Sequence, residues 1–243
     1  MSRIDPADVS LIVIAKAPEP GFAKTRLIPD LGPDGAAAVA AASLADTLWA
    51  VAETPANRRI LVLDGDADGA DWLPRLDGRR FEIIPQRGGG LGERLAGAFA
   101  DSGASPALLV GMDTPQVTTS LLEDSIALLC GADVGAVLGP ASDGGWWAIG
   151  LRDHHPTAFE GVPMSAADTC EHQRARLAAI GLEVRELDQL RDIDTAADAR
   201  AVAAVNPWTR TAAALRKVTP KESSAGASGS FGRGGGTGRE VLT

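Results

Sequence analysis

Three cations stand close together near the start of the chain, in Lys16-Ala17-Pro18-Glu19-Pro20-Gly21-Phe22-Ala23-Lys24-Thr25-Arg26-Leu27. Lys16, Lys24 and Arg26 in a loop kept from early helix formation by Pro18, Pro20 and Gly21 could meet an anion such as a phosphate. The spacing is not that of a Walker A loop, since Pro18 and Ala23 occupy its glycine positions, and solvated surface charge is the plainer reading. Farther along come three aspartates in short polar segments. Asp113 lies in Gly111-Met112-Asp113-Thr114-Pro115, where a carboxylate at a strand end could hold a hard divalent cation or shape a turn. Asp143 precedes Gly144 and Gly145, which permit a close backbone approach to a ligand or an ordinary turn. Asp194 lies in Arg191-Asp192-Ile193-Asp194-Thr195, ahead of a helix it could cap.

A glycine-rich segment completes the set. Gln86-Arg87-Gly88-Gly89-Gly90-Leu91-Gly92-Glu93-Arg94 has Glu93 where a dinucleotide fingerprint needs its third glycine. Free N–H groups at a helix start there could bind a phosphate or face a nucleobase, and a hinge is the alternative. Trp146 and Trp147 must point to opposite faces of a strand, and tryptophans so placed usually pack a core.

These residues need a scaffold that brings distant segments together. Val9–Ala15 is a β-branched apolar run suited to a strand buried on both faces, so the cationic loop leaves the end of a central strand. Further strands are expected over 59–64, 81–85, 107–111, 133–138, 146–151 and 182–187. Helices are expected over 34–53, 91–100, 120–130, 169–180 and 195–205, with capping boxes at Ser120/Glu123 and Thr195/Asp198. Residues 65–80 read as an acidic loop, and 211–217 could extend a helix. Alternating β and α elements predict an α/β domain with a mostly parallel sheet and helices on both faces. Ligands in such sheets bind beyond the carboxyl ends of the strands, where the cationic loop emerges. From about Pro207 the character changes, and 223–238 is Gly/Ser-rich. The expected division is one globular domain over 1–206 and a low-complexity tail over 207–243.

At 243 residues with 45% hydrophobic content the chain can bury a large core, and its net charge of -9 argues against nucleic-acid binding. Cys130 and Cys170 have neither metal-ligand spacing nor disulfide density and read as reduced structural thiols. The acidic N-terminus lacks secretory-signal character, and no apolar run suggests a membrane span, so a cytoplasmic location is expected.

The segments KAPEPGFAKTRL, QRGGGLGERL, GMDTP, PASDGGWWAIGL, VPMSAADT and LRDIDTAAD, in this order, resemble the DUF2064 family of GT-A-fold transferases, of arsenosugar-biosynthesis type, over about Leu11–Val205. The layout is also similar to the molybdenum-cofactor and phosphoenolpyruvate guanylyltransferases. The resemblance implies a three-layer αβα GT-A sandwich with a mostly parallel mixed sheet. It implies that Lys16, Pro20, Gly21, Lys24, Arg26, Gly90 and Arg94 bind a nucleotide, with Lys24 and Arg26 on its phosphates. Asp113 and Asp194 would hold Mg²⁺ or Mn²⁺. Asp143 would act on an acceptor lined by Gly144, Gly145 and Trp146. Departures from the family pattern fall at Met112, at the Trp146-Trp147 pair and in the loose SAADT segment, and so bear on acceptor specificity. The implied activity is metal-dependent glycosyl transfer from a nucleotide sugar to a small-molecule acceptor. Nucleotidyl transfer from a nucleoside triphosphate and a non-catalytic nucleotide-binding role are the alternatives.

Overall fold

The computed structural model describes residues 4–67, 72–73, 81–103 and 106–218. Seven strands form one sheet: β1 (Ser10–Lys16), β2 (Arg59–Asp64), β3 (Glu82–Pro85), β4 (Ala107–Gly111), β5 (Ala136–Pro140), β6 (Trp146–Leu151) and β7 (Val184–Glu186). Their order across the sheet is β3-β2-β1-β4-β6-β5-β7. Every pairing is parallel except those of β6, which runs antiparallel to both β4 and β5. The predicted α/β architecture is observed, and each expected strand lies within a few residues of its place.

Six α-helices stand among the described residues: α1 (Ile28–Glu53), α2 (Leu91–Ser102), α3 (Thr119–Leu129), α4 (Thr169–Ala179), α5 (Ala196–Val205) and α6 (Arg210–Val218). Successive strand residues face opposite layers. Leu11 and Val13 of β1 pack with Leu44 and Leu48 of α1 and Leu122 and Ile126 of α3. Ile12, between them, packs with Leu95 and Phe99 of α2 and Leu177 of α4. That alternation makes the strand buried on both faces and the domain three-layered.

Several expectations need correction. Gly32 (φ 71°) breaks α1 just ahead of Pro33, so the long regular part does begin near the expected Asp34, but a helical turn precedes it. The stretch Thr25–Glu53 is long and apolar enough to cross a membrane, contrary to the expectation of no such run; 78% of its most apolar window is buried inside the fold, as in a core helix. Helix α3 is capped by Thr118, whose side chain accepts from the Leu121 N–H, and not by Ser120. The Thr195/Asp198 capping box of α5 is present.

The border expected at 206 falls inside packed structure. Helix α6 buries Ala212 and Leu215, and Leu215 joins Leu27, Val39 and Val202 in a third cluster. Burying one such leucine stabilises by roughly 1.5–3 kcal/mol. The expected loop over 65–80 lies largely, and the Gly/Ser-rich stretch wholly, outside the described residues. Cys130 and Cys170 are both buried and free of any disulfide, as expected.

Candidate active site

At the carboxyl ends of β1 and β4 a cavity of about 630 Å³ opens. The loop after β1 reaches it through a turn that ends on Lys24, held in the left-handed conformation (φ 51°, ψ 43°) that side chains other than glycine rarely adopt. Backbone strain of this kind persists only where surrounding contacts over-determine it. Here the ammonium lies 3.0 Å from Asp113 Oδ1 and 3.3 Å from Asp194 Oδ1, with only 9% of the side chain exposed. Burial opposes the charged ammonium, but the two carboxylates outweigh it and hold Lys24 above the ordinary lysine range. Arg26, 70% exposed, donates to Asp194 Oδ2 at 2.6 Å. Lys16 leaves β1 with its ammonium 5.5 Å above the Phe22 ring and forms no ion pair among the described residues.

Two hydrogen bonds fix the carboxylates relative to the sheet. Ser43 of α1 donates to the Met112 carbonyl at 2.7 Å, pinning the turn that carries Asp113. The Ile193 N–H donates to the Asp113 carbonyl at 2.9 Å, tying the segment before α5 to the end of β4. Ile193 is 1% exposed, and in an extended chain its neighbours on both sides point the other way, so Asp192 and Asp194 share the cavity side.

Asp143 is set by a turn in which the Gly145 N–H donates to its Oδ1 at 2.7 Å. Gly144 has φ 90°, and a Cβ there would lie 1.8 Å from the Ala167 carbonyl, so the turn passes directly beneath the Met164–Thr169 segment. The Cys170 N–H donates to the Gly144 carbonyl and locks the two together. One carboxylate oxygen each of Asp143, Asp192 and Asp194 lies within 4.8 Å of the other two. Burial, and next the charge of Asp143, push Asp192 up to about 6. Hard oxygen donors crowded in this way suit a divalent cation such as Mg²⁺ or Mn²⁺, whose charge would relieve the repulsion among them.

Of the residues expected at the site, Lys16, Lys24, Arg26, Arg94, Asp113, Asp143, Gly145, Trp146 and Asp194 line the cavity. Pro20 and Gly21 form the turn that delivers Lys24 and do not line it; Gly144 lies behind Asp143, and Gly90 caps α2. Arg94 donates to Asp64 at 2.6 Å. Glu93 accepts from the Gly89 N–H at 2.7 Å, which puts a carboxylate where a phosphate at the start of α2 would sit. A phosphate is therefore opposed there, while a neutral base is not. Trp147 is core, with its indole donating to the Asp188 carbonyl, and Trp146 faces the cavity, as alternation requires.

Sequence reasoning passed over Asp192, Gln86 and Thr114, all in the cavity wall. The signal for Asp192 was present in the alternation of Asp192-Ile193-Asp194. Asp194 is no cap, since Thr195 serves that purpose.

Residues 47–166 match the family described as "Uncharacterized protein conserved in bacteria (DUF2064)". No curated protein matches the chain. Among solved structures, a protein from Desulfovibrio desulfuricans, provisionally named a nucleotide-diphospho-sugar transferase, is similar at 29% identity and a TM-score of 0.76, over 86% of this chain and 94% of that one. The 4-diphosphocytidyl-2C-methyl-D-erythritol synthase of Anaerococcus prevotii shares the fold at 12% identity and a TM-score of 0.55, over 83% of this chain and 97% of that one. The inositol-1-phosphate CTP transferase of T. maritima does so at 13% identity and a TM-score of 0.51, over 88% and 97%. The fold is that of the nucleotide-diphospho-sugar transferases, as the resemblance implied.

Proposed function

We propose that this chain, matched to DUF2064 over about its middle half, is a divalent-metal-dependent transferase with a nucleotide donor, and that the donor is a nucleotide sugar. The observation carrying the reading is the meeting of four cations and four aspartates from five separate segments in one cavity at the strand ends. A scaffold freed from catalysis has little reason to hold so many charges there.

The cation would be held by Asp192 and Asp194 with Asp143 beside them, and when bound it supplies charge neutralisation for the departing diphosphate. Arg26 and Lys16, the exposed cations, face the phosphates from the other side. Lys24 stands between them and the carboxylates, kept in place by Asp113. The acceptor enters beside Trp146 and the Met164–Thr169 segment, and its hydroxyl oxygen attacks the anomeric carbon. The bond from that carbon to the diphosphate oxygen breaks, the nucleoside diphosphate takes the electron pair, and Asp143, the most exposed of its trio, receives the proton.

The test is release of nucleoside diphosphate from a panel of nucleotide sugars, with water or simple sugars as acceptor, in the presence of Mg²⁺ or Mn²⁺. Metal-dependent release lost in Asp194→Asn supports the reading. Pyrophosphate release from a nucleoside triphosphate would transfer it to nucleotidyl transfer. Nucleotide binding in thermal unfolding without release of either product would leave a non-catalytic nucleotide-binding role, and no binding with any donor would refute the nucleotide reading.

A further inference from the structure

We propose that Gln86 reads the nucleobase of the donor, presenting an acceptor edge that selects a base with an exocyclic amine. The inference rests on the nucleotide reading above and adds to it the class of base.

Gln86 follows β3, and its backbone N–H donates to the Leu63 carbonyl at 2.8 Å. Its side chain then reaches across the sheet edge. Nε2 donates to the Ala15 carbonyl at 2.7 Å and to the Val62 carbonyl at 3.3 Å, so both amide hydrogens are used on the ends of β1 and β2. The opposite orientation would press an oxygen against two carbonyl oxygens, so the bonding pattern itself assigns the amide. The remaining atom, Oε1, has no hydrogen-bond partner among the described residues, and Gln86 lines the cavity.

Its position suits a base. The strand order puts Gln86, the cations after β1, Asp113 after β4 and Trp146 at the start of β6 along one edge in that sequence. With strands about 4.8 Å apart, β3 and β4 are roughly 14 Å from each other. A nucleotide laid along this edge has its phosphates on the cations, its acceptor by Trp146, and its base at Gln86. Leu91 and Leu95 supply apolar surface there, and Glu93 at the start of α2 disfavours a phosphate at this end.

Oε1 is an open acceptor placed beside the Ala15 and Val62 carbonyls, whose own lone pairs are taken by the β1–β2 ladder and by Nε2. An amine donates to Oε1 without setting an oxygen against those carbonyls. The uracil N–H is flanked by two carbonyl oxygens that would face the same acceptors and be repelled.

The experiment is calorimetric titration of the full chain, with Mg²⁺, against CDP, ADP, GDP, UDP and inorganic pyrophosphate. At least one amine-bearing diphosphate should bind about tenfold or more tightly than UDP, the worth of one or two hydrogen bonds. Gln86→Lys keeps a donor for the Ala15 and Val62 carbonyls and removes the acceptor. It should shrink the preference to about twofold or less while pyrophosphate binding persists. Gln86→Met should do the same, and because the readout is a ratio between bases, added charge or general loosening does not mimic it. UDP bound as tightly as the others by the native chain, or a preference that survives both substitutions, overturns the role of Gln86 and leaves nucleotide use standing. Absence of binding by any nucleoside diphosphate overturns both.

Discussion

Replacing Lys24 with methionine removes the ammonium and keeps the length of the stem, which makes it a clean probe of the charge cluster. At an effective dielectric of about 20, contacts of 3.0 and 3.3 Å correspond to gross attractions of roughly 5.5 and 5 kcal/mol. The desolvation of a side chain only 9% exposed takes back several kcal/mol of this. The partner carboxylates are 41% and 30% exposed, so water solvates them when the ammonium is gone. The expected net loss is therefore about 2–3 kcal/mol, below the 3–5 typical of fully buried pairs. For a domain of this size that lowers Tm by roughly 4–12 °C at neutral pH, readable by calorimetry. Millimolar Mg²⁺ should restore part of it, because Asp113 and Asp194 would then share a cation. Adding Asp113→Asn to Lys24→Met should also recover stability, since it removes a charge left without a partner. A Tm unchanged in Lys24→Met, or a double variant less stable than the single, would refute this account of why a strained lysine is kept there.

Other outcomes follow from the same geometry. Because a cation competes with the proton on Asp192, held at about 6, apparent Mn²⁺ affinity should fall as pH drops below about 6 and level off above it; a flat profile from pH 5 to 7 by titration calorimetry would contradict this. Gly144→Ala meets both a positive φ and the Ala167 carbonyl, so a loss of at least about 2–3 kcal/mol and of transferase activity is expected, against which an unaltered Tm would count. Trp147→Ala should cost about 3–5 kcal/mol, while Trp146→Ala should spare stability by comparison and raise KM for the acceptor. Ending the chain at residue 206 removes α6 from α1 and α5 and should lower Tm measurably relative to the full chain.

The sheet was legible because β-branched apolar runs of strand length alternate with helical periodicity, and burial on both faces enforces that pattern. The reversal of β6 was not, since WWAIGL carries no mark of direction and only its short connection to β5 hints at it. Two of the three clustered carboxylates, Asp143 and Asp194, could be read from motifs, but Asp192 was hidden by a competing local explanation, the helix start that Thr195 in fact serves. Lys24, Asp113 and Asp194 were each picked out as singletons. Their mutual pairing is set by packing over long stretches of chain, which no local spacing encodes. Gln86 was invisible for the opposite reason: its role depends on where its hydrogens go, and only the strand ends decide that.

The pairing of Lys24 with Asp194 spans 170 positions. On the ribosome, the loop after β1 emerges early; Asp113 can meet its lysine once β4 is made, but the second carboxylate comes only with residues 192–194. The first strands can pair, but the cavity's charge cluster stays incomplete until residue 194 is made, because long-range closure must wait for both of its ends. A chain stopped short of residue 194 thus carries strands without a complete cleft, and binding competence reports that synthesis has passed that point.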